Sequence, residues 1–68
     1  MNLEPYQQRV VDEKRELDER IGKLIAFSQT DSFRALDQEE RQLLNEQKAA
    51  MSNYQAALAR RIFRFKME

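Results

Sequence analysis

The side chains of this sequence that could do chemistry are carboxylates, guanidinium groups and two tyrosines, because histidine and cysteine are absent. Without them the chain has no usual zinc ligands and no Cys-His catalytic pair. Its adjacent carboxylates, such as Asp12 with Glu13, fall on the exposed faces of predicted helices, and the single glycine cannot form a phosphate-binding loop. The sequence therefore predicts no catalytic residue, no metal site and no cofactor, and we do not expect an enzyme.

Ligand binding is the better candidate, because basic side chains gather near the end of the chain. No acidic residue occurs from Gln47 to Met67, although Lys+Arg and Asp+Glu both number 12 over the whole chain. The basic residues of this stretch are Lys48, Arg60, Arg61, Arg64 and Lys66. A guanidinium group pairs bidentately with phosphate and also stacks on flat rings. Folding that brings Tyr6 and Arg9 to the same end would complete an aromatic and basic site.

A structural interpretation of the same residues stays open. Tyr6 can pack in a helix interface, Arg61 can extend its aliphatic stem across that interface, and the other arginines can form a solvated helix terminus that the helix dipole favours. Spacing alone favours this interpretation. Four polar residues also interrupt the predicted interface: Glu13, Arg20, Gln47 and Arg61. They either fix the register of the helices or line a polar pocket between protomers.

The elements that position these residues are two long helices. The first helix is predicted from Tyr6 to Phe27 and starts near Pro5. Its apolar seam is formed by Leu3, Val10, Leu17 and Leu24, and Ile21 and Phe27 lie beside that seam. The polar segment 28–32 ends it, and Phe33 and Leu36 suit one short helical turn. Asp37 and Glu40 form a capping-box pattern that starts the second helix at Gln38.

The second helix repeats the seven-residue period and predicts the pairing of the two helices. Its seam is Leu44, Met51, Leu58 and Phe65, flanked by Tyr54 and Ile62. In an antiparallel hairpin one register pairs both seams completely: Leu24 with Leu44, Leu17 with Met51, Val10 with Leu58, and Leu3 with Phe65. The predicted fold class is therefore an all-α antiparallel helical hairpin with a short helical turn at the connection.

A chain of 68 residues is expected to form a single hairpin domain over 1–68, with a core too small for comfortable stability alone. Apolar residues outside the seams would stay wet in a monomer: Val11, Ile25, Leu43, Ala50, Ala57 and Phe63. We therefore expect a homo-oligomer. The charged start is not that of a signal peptide, no segment suits a membrane span, and the balanced charge gives no general attraction to long nucleic acids or membranes.

The sequence also resembles a small phage family. The resemblance is carried over nearly the whole chain by Tyr6, Arg9-Val10, Glu13-Lys14, Glu16-Leu17-Asp18, Lys23-Leu24, Phe27, Phe33, Leu36, Glu40-Arg41, Leu43-Leu44, Gln47, Ala50-Met51, Tyr54, Leu58 and Arg61-Ile62. These residues are similar to the helical hairpin shared by anti-CBASS cyclic-oligonucleotide sponges and some anti-Thoeris sponges.

What the resemblance implies is a non-enzymatic sponge of the host bacterial cytoplasm. It would be a homohexamer that sequesters cyclic di- and trinucleotide immune messengers between its protomers. Chosen by their chemistry, the ligand-binding candidates are Tyr6 for base stacking and Arg9, Lys23 and Arg61 for phosphates. The alternative function is a structural or protein-protein interaction module without a nucleotide ligand.

Overall fold

The computed structural model describes the backbone of residues 3–67 and the side chains of residues 3–65. Three helices follow one another: α1 Pro5–Ser28, α2 Asp31–Arg34 and α3 Gln38–Met67. The two long helices pack side by side, and the short α2 lies at their connection. The all-α hairpin with a short helical turn at the connection is confirmed. In the described part of the chain, no helix is both long and apolar enough to cross a membrane.

Local sequence explains where each helix begins. Pro5 is the first residue of α1, where its missing N–H would have had no helical partner. At the other end of the molecule, the Thr30 hydroxyl accepts a hydrogen bond from the backbone N–H of Phe33 (3.2 Å). The Asp37 carboxylate accepts one from the N–H of Glu40 (2.8 Å). Asp37 thus caps α3, and the helix starts at Gln38 as predicted.

The core is a narrow strip between α1 and α3. Val10, Leu17 and Ile21 of α1 are buried against Leu58 of α3, which is only 1% exposed. Half-buried apolar side chains of α3 pack against this strip: Met51, Ile62 and Phe65. All these residues were predicted to lie in or beside the two seams.

Three contacts between the long helices establish their antiparallel orientation. They join Tyr6 to Phe65, Glu13 to Tyr54, and Asp18 to Gln55. Tyr6, near the start of α1, meets residue 65 of α3, whereas Glu13 and Asp18, further along α1, meet residues 54 and 55. The residue numbers of each pair add to between 67 and 73. This orientation is the predicted one.

Residues of two predicted seam pairs belong to the core strip or pack against it. Val10 and Leu58 are both buried, and Met51 packs against the cluster that contains Leu17. At the end of the hairpin the aromatic contact of Phe65 is with Tyr6, one turn further along than the expected partner, Leu3.

Asp18 links the two helices through hydrogen bonds. Its carboxylate accepts from the Gln55 amide of α3 and from Lys14 on its own helix, with 2.8 Å between the Lys14 nitrogen and the carboxylate oxygen. The Gln55 bond, followed by the Lys14 bond and charge, lowers the pKa of Asp18 from 3.8. The ionised form of Asp18 is therefore the one that bridges the helices.

Two aromatic residues expected beside the seams lie at the surface instead. Phe27 is 37% exposed, and its ring makes an edge-to-face contact with Phe33 of the connection. Tyr54 is 45% exposed, because its hydroxyl reaches Glu13 at the edge of the helix interface. Aromatic residues with a polar tip favour such edge positions.

We predict that Leu58→Ala lowers the free energy of unfolding by about 2 to 5 kcal/mol, since it removes a fully buried side chain. Urea unfolding followed by circular dichroism at fixed protein concentration measures this. Glu46→Ala on the exposed surface of α3 is the control and should stay within about 0.5 kcal/mol of wild type. Equal effects of the two substitutions would mean that Leu58 does not hold the core.

Candidate functional site

Two neighbouring depressions lie where the start of α1 meets the end of α3, and they share residues of their lining. The first, the end pocket, has a volume of about 200 Å³ and is lined by Tyr6, Arg61, Arg64 and Phe65. The second, the mixed groove, has a volume of about 600 Å³ and is lined by Tyr6, Arg9, Val10, Asp12, Glu13, Glu16 and Arg61. Tyr6 and Arg61 belong to both.

Helical spacing brings these side chains together. On α1, Tyr6, Arg9, Glu13 and Glu16 follow at intervals of three, four and three residues, which places them along one face. On α3, residues 61, 64 and 65 lie within little more than one turn. The antiparallel packing of the helices then sets the two groups side by side.

In the end pocket, two aromatic rings lie beside two guanidinium groups. The rings of Tyr6 and Phe65 meet edge to face, with 6.0 Å between their centroids and 83° between their planes. Tyr6 remains 52% exposed, and Arg61 and Arg64 are also exposed. An exposed aromatic ring can stack on a base while the arginines pair with phosphate. The pocket is therefore suited to an anion that also carries a flat ring.

The mixed groove combines both signs of charge. Asp12 is paired with Arg15 on its own helix (3.0 Å), and Glu13 accepts a hydrogen bond from the Tyr54 hydroxyl. Among residues 3–65, no ion pair within 4 Å joins Arg9 or Arg61 to a carboxylate. Within this part of the chain, neither guanidinium group is held by a carboxylate.

Tyr54 is kept in its neutral, hydrogen-donating form. The hydrogen bond to Glu13, together with desolvation and the negative charge of Glu13, raises the pKa of Tyr54 above 10.0, while the positive charge of Arg61 opposes the shift. The Glu13 carboxylate is thus held from α3 at the edge of the mixed groove.

Three of the four predicted ligand residues come together and one does not. Tyr6, Arg9 and Arg61 line the mixed groove. Lys23 is exposed on α1, 14 residues beyond Arg9, which is about 21 Å at 1.5 Å per helical residue. Within one protomer, Lys23 and the other three cannot contact the same small ligand.

The other basic and polar candidates lie apart from the two depressions. Arg20, Gln47 and Arg60 are exposed and line neither of them. The side chain of Lys66 lies outside the described residues.

Sequence reasoning assigned two parts of this site to other roles. Phe65, predicted as a seam residue, packs against the core and also forms a wall of the end pocket with Tyr6. Glu16, which the sequence did not single out as a binding residue, lines the mixed groove. The spacing of Tyr6, Arg9, Glu13 and Glu16 along one face was the available signal for the acidic side of the groove.

The described residues that line the site carry guanidinium groups, carboxylates and aromatic rings. Among the described residues, no group of three or more Asp, Glu, His or Cys side chains could hold a metal ion. The pKa values that shift belong to Asp18 and Tyr54, and in both the shift follows from hydrogen bonds that join the two helices.

Comparison with known families agrees with this picture. The family model described as Sequestin matches residues 4–64, which leaves out only three residues before the match and four after it. The chain belongs to the Sequestin family. The family's name indicates sequestration rather than catalysis, and the resemblance to phage sponges is confirmed at the level of the family. No curated protein and no solved structure matches the chain.

We predict that Tyr54→Phe destabilises the fold at neutral pH and that this difference from wild type disappears at alkaline pH. The folded pKa of Tyr54 is raised above 10.0, so its stabilising contribution is present below pH 10 and is lost as the pH rises through the folded value. Melting temperatures of wild type and variant between pH 7 and 12 test this. A difference that is constant across that range would contradict a role for the Tyr54 proton.

Proposed function

We propose that this protein is a non-enzymatic phage sponge that binds cyclic di- and trinucleotides and so blocks CBASS-type antiviral signalling in the host bacterial cytoplasm. The observation that supports this most is the end pocket, in which exposed Arg61 and Arg64 flank the Tyr6 and Phe65 rings. Such a pocket provides what a nucleotide needs, a stacking surface beside two bidentate phosphate donors. Arg9, which lines the mixed groove together with Arg61, adds a third guanidinium group.

Sequestration requires binding without turnover. A sponge lowers the free concentration of a messenger in proportion to the sites it supplies, provided that its affinity exceeds that of the host effector. The arrangement of the site suits this role, because its groups bind by charge and stacking. Membership of the Sequestin family supports the same conclusion.

We also propose that the sponge works as a homo-oligomer, most simply the hexamer implied by the resemblance. Apolar side chains outside the core are exposed, among them Ile25 (42%), Leu43 (51%) and Phe63 (64%). A shallow groove of about 430 Å³ is lined on this side by Val11, Lys14, Arg15, Asp18, Ala59, Ile62 and Phe63. Burying this surface against further copies would supply the apolar area that four buried core residues do not.

An oligomer would also give Lys23 a possible role. Because Lys23 cannot reach the end pocket of its own protomer, it would have to meet the ligand from a neighbouring copy. The proposed domain, residues 1–68 as one hairpin, is the repeating unit of such an assembly.

The second candidate function is a protein-protein interaction module without a nucleotide ligand. It is favoured by the same exposed apolar groove around Phe63, which a partner helix could fill. The two functions differ in whether a cyclic nucleotide binds.

We predict that the protein binds a cyclic di- or trinucleotide and releases it chemically intact. Incubation with a panel of cyclic nucleotides, heat denaturation and chromatography of the released material test this. Intact ligand supports a sponge, linear products would indicate a nuclease, and absence of binding at high micromolar protein would favour the interaction module.

Arg61→Gln serves as the matched variant in the same assay. Loss of one charge-assisted phosphate contact removes about 1.5 to 3 kcal/mol, roughly a tenfold to hundredfold loss of affinity. Arg34→Gln, at the opposite end of the molecule on α2, should bind like wild type.

We predict that the protein at micromolar concentration has a mass several times that of one 8.2 kDa chain. Light scattering measures this mass. Phe63→Asp should reduce the mass, because it places a charge in the proposed interface, whereas Asn53→Asp on the exposed polar surface of α3 should not. A wild-type mass near that of a single chain would exclude the assembly.

A further inference from the structure

The two depressions that share Arg61 differ in charge. Among the side chains of residues 3–65, those lining the end pocket are aromatic or basic, whereas the mixed groove also contains Asp12, Glu13 and Glu16. A site that served phosphate alone would gain nothing from carboxylates, because like charges placed together oppose binding. The acidic side of the groove therefore calls for a ligand group other than phosphate.

A carboxylate accepts hydrogen bonds and donates none. On a nucleotide, the groups that donate are the ribose hydroxyl and the N–H and amino groups on the pairing edge of the base. Proteins commonly read that edge in unpaired nucleotides, and its donors differ from base to base. Guanine presents two such donors side by side, N1–H and the 2-amino group. Hypoxanthine keeps N1–H but lacks the amino group, and adenine has a single amino group on this edge.

Glu13 is the carboxylate best placed to meet that edge. Asp12 is already paired with Arg15. Glu13 lies seven residues after Tyr6, about 10 Å along the helix axis, and both side chains line the mixed groove. A purine that is stacked on Tyr6 and extends along this groove brings its pairing edge toward the Glu13 carboxylate.

The orientation of Glu13 is also set from the opposite helix. Its Oε1 accepts the Tyr54 hydroxyl hydrogen, which leaves Oε2 to accept from a ligand. Tyr54 thus acts as a positioning residue for this acceptor.

This inference rests on the proposed function. We propose that the bound ligand places a phosphate in the end pocket and the donor edge of its base in the mixed groove, with Arg61 between the two and Glu13 selecting guanine. Guanine-containing cyclic dinucleotides are then the preferred ligand class. The rule is chemical: the preferred base carries an amino group next to a ring N–H.

The test compares two cyclic dinucleotides that differ by one group, cyclic diguanylate and its hypoxanthine counterpart, by isothermal titration calorimetry. Wild type should bind the guanine ring about tenfold more tightly, the effect of one hydrogen bond to a charged acceptor. In Glu13→Gln, whose amide oxygen still accepts from Tyr54, the preference should fall below about threefold.

Three further variants separate the roles of the residues. Tyr54→Phe should weaken the binding of the guanine dinucleotide more than that of its hypoxanthine counterpart, which offers Glu13 one donor in place of two. Arg64→Gln should weaken the binding of both dinucleotides equally, since Arg64 is proposed to contact the phosphate. Glu19→Gln, an exposed carboxylate of α1 that lines neither depression, should preserve the preference.

Each contrary result has a distinct meaning. Equal binding of the two rings by wild type, or a preference that survives Glu13→Gln, overturns the assignment of Glu13 and leaves the sponge function standing. Unchanged affinity of Arg64→Gln for both rings overturns the placement of phosphate in the end pocket. Failure of wild type to bind these rings or any other cyclic nucleotide overturns both the proposed function and this inference.

Discussion

The packing of Leu58 against Val10, Leu17 and Ile21 is the contact on which the rest of the molecule depends. These four side chains are the buried apolar core of the described chain, and they join two helices that otherwise present charged surfaces to water. Because each helix is continuous through the core, this contact also sets the position of every residue at its ends. A slip of one helical turn would move Arg61 about 5 Å along the axis relative to Tyr6.

Polar contacts at the edge of the core select one register among those that apolar packing alone would tolerate. The Asp18 carboxylate meets the Gln55 amide, and the Tyr54 hydroxyl meets Glu13. Both bonds are near the surface, where net hydrogen-bond stabilisation is modest, about 0.5 to 1.5 kcal/mol for a typical bond. Their value is specificity, because another register would separate the partners. Such polar pairs commonly fix the alignment of paired helices.

The candidate site uses this alignment directly. Arg61 comes from α3, whereas Tyr6, Arg9 and Glu13 come from α1, so both the end pocket and the mixed groove exist only when the helices are paired. Tyr54 connects the core to the site, since it leaves the helix interface to hold Glu13. In the proposed sponge, stability and ligand selection would share this tyrosine.

The small core also bears on the proposed assembly. A hairpin with few buried side chains and a largely exposed Phe63 has reason to associate, because further burial of apolar surface stabilises both the fold and the complex. An assembly would then stabilise the folded hairpins that carry the binding sites. A ligand that binds the folded form alone would stabilise that form further.

The sequence by itself determined the helices, their caps and their antiparallel pairing. Seven-residue periodicity, Pro5 and the Asp37 to Glu40 cap are local signals, and local signals decide helix position. It also indicated that Tyr6, Arg9 and Arg61 meet, because the pairing of the helices brings the start of α1 to the end of α3.

Only the tertiary structure decided which neighbours these residues have. A heptad pattern assumes 3.5 residues per turn, whereas a straight helix has 3.6, so faces drift by about 20° per heptad. In the folded pair the Phe65 ring meets Tyr6, and Tyr54 is 45% exposed at the edge of the interface. The side chains that line a shallow depression depend on such rotations, and for this reason the acidic side of the mixed groove became visible only in the folded pair.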